Sequence, residues 1–118
     1  IMGNYIDENT MEFDELIAGT SVTPLLFNVT VTAAGAGTIE KGRLLSESGG
    51  KFTETPTAGV AAAILAEDIV ATAAGDITGT VYVRGIFNRE KLVAAAGDTV
   101  TAHEPELRKI GIYMTSVK

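Results

Sequence analysis

Alternation of apolar and polar residues dominates the chain after Pro24. From Leu25 to Val31, Leu25, Phe27, Val29 and Val31 alternate with Leu26, Asn28 and Thr30. That period of two belongs to a strand with one buried face. The clearest strand is Ile77–Asn88, launched by a turn at Gly75–Asp76. Val81, Val83, Gly85 and Phe87 share one of its faces, and Thr80, Tyr82, Arg84 and Ile86 the other. Gly85 interrupts it and predicts a bulge or a close backbone approach. Val60–Ala66 is a continuous apolar run that predicts a short buried strand, although its alanines suit a helix equally. Ser48–Gly49–Gly50–Lys51, between Leu44–Leu45 and Phe52–Thr53, predicts a hairpin. Ala33–Gly37 reads as a flexible loop and Lys41–Gly42 as a tight turn.

Helical signals are short and lie near the C-terminus. Arg89–Ala96 predicts two turns with Leu92 and Val93 inward, stopped at Gly97. Pro105 fits the first helical position and Gly111 the residue past the end, with Leu107 and Ile110 facing the core. Ile112–Val117 closes the chain as a strand. The fold class expected is mainly β, with two short C-terminal helices. Within residues 1–21, Phe13, Leu16 and Ile17 have helical spacing and allow one turn around Glu12–Ala18. Asn9, Thr10, Gly19, Thr20 and Ser21 break anything longer, so the segment reads as a flexible N-terminal arm ahead of a β-rich domain at 22–118.

Charge sharpens that division. The whole chain carries −6, and residues 1–21 supply −5 of it through Asp7, Glu8, Glu12, Asp14 and Glu15, with no Lys or Arg. The remainder is nearly balanced. Tyr5, Ile6, Met11, Phe13 and Leu16 lie among those acids, which is more large apolar surface than a solvating tail needs. They are the candidate anchors of an arm that orders on a partner. An acidic chain is a poor ligand for nucleic acid, whose phosphates require a basic surface.

The 118 residues suit a single domain, and a 46% hydrophobic fraction argues against general disorder. Much of the chain is small, with 16 Ala, 13 Gly and 15 Thr. Cysteine is absent, which removes disulfides, thiolate nucleophiles and the common zinc ligand sets. The longest apolar run, Ala58–Ala66, has nine residues, against about 20 for a membrane span. No secretory signal precedes the first basic residue, Lys41. The expectation is a soluble protein made in a reducing cytoplasm, with no membrane partner.

Candidate chemistry is sparse. Nucleophilic catalysis needs a nucleophile, a base and an orienting group, and the only histidine, His103, reads as a surface or capping residue. Glu67–Asp68 ends an apolar run and reads as a solvated pair. Gly35–Ala36–Gly37 lacks the third glycine of a dinucleotide fingerprint, because Glu40 stands in its place. Asn28–Val29–Thr30 matches a glycosylation sequon by chance. Arg84, Arg89, Lys91, Arg108 and Lys109 are no more than one solvated face supplies. The expectation is no enzyme activity, no cofactor, no metal and no small-molecule substrate.

Four segments together resemble a known family. Thr38–Leu45 followed by Gly50–Lys51–Phe52 resembles the strand–turn–strand of the phage head decoration proteins, the lambda-type capsid-stabilising family. Ala63–Ile64–Leu65–Ala66–Glu67–Asp68 is similar to its "GILAED" stretch, with Ala63 where glycine is usual. Thr80–Asn88 resembles its "VYVHGVFN" strand, and Leu107–Tyr113 its closing helix and strand. Order and spacing agree from about residue 22 to the end, and residues 1–21 match only in being an N-terminal arm. The resemblance implies a compact β-clip or β-tulip domain. It also implies a homotrimer on the outside of an expanded icosahedral phage or prophage capsid, made in the bacterial host, with the major capsid protein as partner of the arm. Two other readings stand beside it. A non-catalytic ligand-binding β module, carbohydrate-binding or tail-associated, would expose several aromatics on one face. A trimeric nucleotide hydrolase would need phosphate and metal motifs that the chain lacks.

Overall fold

The computed structural model describes residues 17–19 and 23–116. Within them run β1 (Ile17–Gly19), β2 (Leu25–Ala33), β3 (Gly37–Ile39), β4 (Leu44–Ser48), β5 (Lys51–Glu54), β6 (Ala63–Leu65), β7 (Ile69–Ala71) and β8 (Gly75–Asn88). A helix, α1 (Glu104–Arg108), and β9 (Ile112–Thr115) complete the chain. The protein is mainly β, as its alternation requires.

Five strands close on themselves. β8 pairs antiparallel with β2 from Leu25↔Arg84 to Ala33↔Gly75. β2 meets β5 in parallel at Thr30 and Val31, β5 forms a hairpin with β4, and β4 pairs with β6. β6 returns to β8 at Ile64↔Tyr82 and Leu65↔Val81. The β4–β5 turn is Gly49–Gly50 with φ of +61° and +84°. Positive φ at both positions is the two-residue turn whose twist matches the strands, as the double glycine predicts.

Two cores lie on opposite sides of this wall. Val31, Leu45, Phe52, Ala63, Leu65 and Val81 fill the barrel, where Ile39, Ile69 and Ala71 of the β3–β7 ribbon join them. Leu44, Ile64, Tyr82, Phe87, Leu107 and Ile112 pack on the other side, under α1 and β9. Strands β4 and β6 therefore bury successive residues, which is why Leu44–Leu45 and Ala63–Ile64–Leu65 are unbroken apolar runs rather than alternating ones. Ribbon and barrel meet closely at Gly79, where a β-carbon would stand 2.6 Å from Ile69 Cδ1.

Gly85 divides β8. Before it the strand pairs with β2 and β6, and after it with β1 and β9. Its φ of +144° is open to glycine and strained for other residues. The turn it makes also reverses the facing of the residues beyond it. Phe87 leaves the side of Val81 and Val83 and joins Tyr82, with ring centroids 5.1 Å apart at 63°. The simple alternation expected for this strand therefore fails beyond Gly85, where the break itself was expected.

Three other expectations are corrected. Arg89–Ala96 is not two helical turns: a single 3-10 turn covers Arg89–Lys91. Leu92 is buried, but Val93 is extended and bridges to Arg43, its N–H donating to Gly42 O and its carbonyl accepting from Leu44 N. The edge of β4 takes those backbone groups instead. In the second helix Leu107 is fully buried, but the helix stops at Arg108 and leaves Ile110 49% exposed. Ile17 and Ala18 lie in a strand against β8, not in a helical turn.

Candidate functional surface

The anchors expected from sequence, Tyr5, Ile6, Met11, Phe13 and Leu16, lie outside the described residues. Their root is placed. β1 pairs antiparallel with β8 through Ile17↔Phe87 and Gly19↔Ile86, so residues 17–19 belong to the sheet although they fall inside the segment read as an arm.

An apolar surface that sequence reading missed opens at the start of β2. Alternation placed Leu25 and Phe27 inward, yet Leu25, Leu26 and Phe27 are 42%, 51% and 55% exposed. Further along, Val29 packs against the core and Val31 and Ala33 are buried in it. Three consecutive large apolar residues in a strand cannot share one face, and that was the available signal. β5 covers β2 only at Thr30 and Val31, which leaves the Leu25–Val29 edge without a strand neighbour among the described residues. Arg84 lies across from Leu25 and is exposed.

A second exposed face is the outside of the β3–β7 ribbon. Val70, opposite Thr38, is 72% exposed. Glu40, Glu67 and Asp68 are exposed at the same end. Asp68 Oδ1 accepts the Lys41 N–H at 2.7 Å, so one member of the Glu67–Asp68 pair closes a turn.

His103, read as a surface or capping residue, does stand at the N-cap position of α1 but is buried rather than on the surface. Its ring is sandwiched between carboxylates, Nδ1 2.6 Å from Glu106 Oε2 and Nε2 2.5 Å from Asp98 Oδ2. Glu106 Oε2 also accepts the Ala61 N–H at 2.5 Å. The cluster thus fastens the 92–101 loop and the chain before β6 to α1. Burial disfavours the charged ring, but the hydrogen bonds to Asp98 and Glu106 outweigh it and hold His103 above its ordinary 6.5. The same bond to His103, with the Thr99 N–H, holds Asp98 below its ordinary 3.8. Spacing could have pointed here, since Glu106 lies three residues past His103 within one short turn. With both ring nitrogens engaged by carboxylates, the histidine acts as a clamp.

Arg89 makes a comparable clamp. Its guanidinium donates to both carboxylate oxygens of Glu104, at 3.0 and 3.1 Å from Nη2, and to Ser116 Oγ at 2.7 Å. This joins the end of β8 to α1 and the C-terminal strand. Among the described residues no group of three His, Cys, Asp or Glu is placed to hold a metal ion, and no helix is long and apolar enough to cross a membrane.

The sequence pattern of the family described as Bacteriophage lambda head decoration protein D matches residues 6–112. The match reaches further toward the N-terminus than the segments quoted from sequence and takes in most of the acidic segment. No individual curated protein matches the chain.

Proposed function

Because this chain belongs to the bacteriophage lambda head decoration protein D family, we propose that it binds the outside of an expanded icosahedral shell as a homotrimer and cements neighbouring copies of the major capsid protein. Membership makes it a phage head decoration protein, a structural component on the exterior of the virion capsid. The observation that carries the reading is the family match along most of the chain, on a β fold that contains the matched segments. The protein acts without turnover, and its partner is protein rather than a small molecule or nucleic acid.

The division into an arm and a domain is part of the proposal, with its boundary moved to residue 16 because β1 joins the sheet. Residues 1–16 carry five acids, no bases and the anchors Tyr5, Ile6, Met11, Phe13 and Leu16. Ordering such a segment costs about 1–2 kcal/mol per residue in backbone entropy. A partner must therefore pair its backbone and bury those side chains, as a strand added to a sheet edge does. Weak contacts repeated within a trimer become strong through effective concentration. A ligand-binding module is less well supported: the shallow cavity beside β2 and β8 is lined by Asn28, Val29, Thr30, Gly50 and Thr78, without an aromatic.

Co-sedimentation with expanded shells tests the proposal. A chain lacking residues 1–16 is expected to stay folded and to lose most of its binding, and binding of the full chain is expected to weaken as salt screens its five carboxylates. Equal binding by both chains would remove the arm from the mechanism. No binding by the full chain would remove the capsid reading itself.

A further inference from the structure

We propose that copies of this chain meet head to tail, the apolar start of β2 with Arg84 on one protomer packing against the acidic outer face of the β3–β7 ribbon on the next. The inference rests on the homotrimer proposed above and names the two faces that meet.

The first face has the character of a covered surface. Leu25, Leu26 and Phe27 present large apolar groups to both sides of β2, each at least 42% exposed. A strand of this kind ordinarily buries one side and solvates the other. Its edge from Leu25 to Val29 also has free backbone groups among the described residues, since β5 pairs only with Thr30 and Val31. An apolar, unpaired edge is the surface that soluble proteins otherwise blunt with charge, proline or a covering element. The one charge in register with it is Arg84, which has no carboxylate within ion-pair distance among the described residues.

The second face is complementary. The ribbon buries Ile39, Ile69 and Ala71 against the barrel and turns Val70 outward at 72% exposure. Glu40, Glu67 and Asp68 are exposed at that end, where the half-buried Lys41 is the one base among them. An apolar centre with carboxylates at its rim fits an apolar centre with an arginine.

Charge selects how copies join. A two-fold contact of the β2 face with itself would bring two arginines into one interface without a carboxylate from either face, and one of the ribbon with itself would gather carboxylates from both copies. Joining unlike faces pairs opposite charges, and such a heterologous contact closes into a ring when its rotation matches the symmetry. Three copies then bury three identical contacts, with no face left over.

Sedimentation equilibrium of the full chain tests this, with far-UV circular dichroism to verify that each variant is folded. Arg84→Glu and Glu67→Arg alter exposed side chains, and each is expected to weaken trimer formation at least tenfold, because one change acts at three contacts. The double variant restores the opposite-charge pairing and is expected to recover to within a few-fold of the original chain. Phe27→Ser, at an exposed position, is expected to weaken association at least as much. A trimer unaffected by all three single changes, or a double variant no better than either charge variant, would overturn the assignment of faces and leave the homotrimer standing. A chain that stays monomeric at every concentration would overturn both. If deleting residues 1–16 abolishes the trimer while Arg84→Glu does not, the β2 edge receives an arm and not the ribbon, and the proposal fails.

Discussion

Replacing Gly85 with alanine strikes the point where β8 changes both partners and faces. Three constraints meet there. The backbone sits at φ +144°, its N–H donates to Gly111 O at 3.2 Å, and an added β-carbon would lie 3.0 and 3.1 Å from the ring of Phe87 and 3.4 Å from Pro24 Cα. Holding an alanine in that backbone region costs about 1–3 kcal/mol. Crowding the fully buried Phe87 adds overpacking strain, taken near the lower end of about 1–3 kcal/mol because the contacts are short by only tenths of an ångström. Gly85→Ala should therefore lose about 3 kcal/mol, which lowers Tm by roughly 12 °C for a domain of this size. Urea unfolding followed by far-UV circular dichroism measures it, with an unchanged m-value as the sign that only stability has moved. Gly35→Ala is the control: its β-carbon meets nothing within 4 Å, so stability should stay within about 0.5 kcal/mol. If Gly85→Ala also stays within about 0.5 kcal/mol of the original chain, the strand does not depend on glycine and the reasoning is wrong.

Three further outcomes are expected. Phe87→Ala, at a side chain with no exposed surface, should cost about 3–5 kcal/mol by denaturant titration, whereas Val60→Ala, at 65% exposure, should stay within about 0.5 kcal/mol. Arg89→Ala removes charge-assisted bonds to Glu104 and Ser116 and should cost about 1.5–3 kcal/mol, seen as a lower thermal midpoint. The advantage of the original chain over His103→Gln should be full below the unfolded histidine value of about 6.5 and should shrink as pH rises through the higher folded value. Asp98 contributes in the opposite direction, its share being present above about 3.9 and lost as pH falls through its lowered value. Paired urea titrations of the two chains from pH 2 to 9 track both limbs.

Local pattern made the hairpin and β8 legible, because each states its need within a few residues. The Val60–Ala66 run, which suits a helix equally, forms a strand only at Ala63–Leu65 and leaves Val60 65% exposed. Gly49–Gly50 supplies the positive φ that the two-residue turn requires, and the alternation from Ile77 to Arg84 marks a strand, although the facing reverses beyond Gly85. What failed depended on how loops and separate strands come together in space. Val93 reads as helical until β4 offers it backbone bonds at Gly42 and Leu44. His103 looks solvated until the 92–101 loop folds Asp98 onto one nitrogen and α1 places Glu106 on the other. Leu25 and Phe27 have the right period for burial, but the barrel ends before it reaches them. The exposed surface was thus concealed by the very alternation that identified the strand.

The pairing of β8 has a consequence for synthesis on the ribosome. β1, β2 and β6, all made earlier, wait for residues 75–88 before they can hydrogen-bond to their shared neighbour. At about 5–20 residues per second, the first 74 residues take roughly 4–15 s to appear. Through that interval the nascent chain has the partners for the β4–β5 hairpin and for the β4–β6, β2–β5 and β3–β7 pairings, but not for closing the barrel. Leu25, Leu26 and Phe27 are then already translated, with nothing to limit their access to other chains. Emergence of β8 supplies the shared neighbour of β2 and β6 and lets the barrel close, so the codons for its 14 residues set when the barrel core is covered.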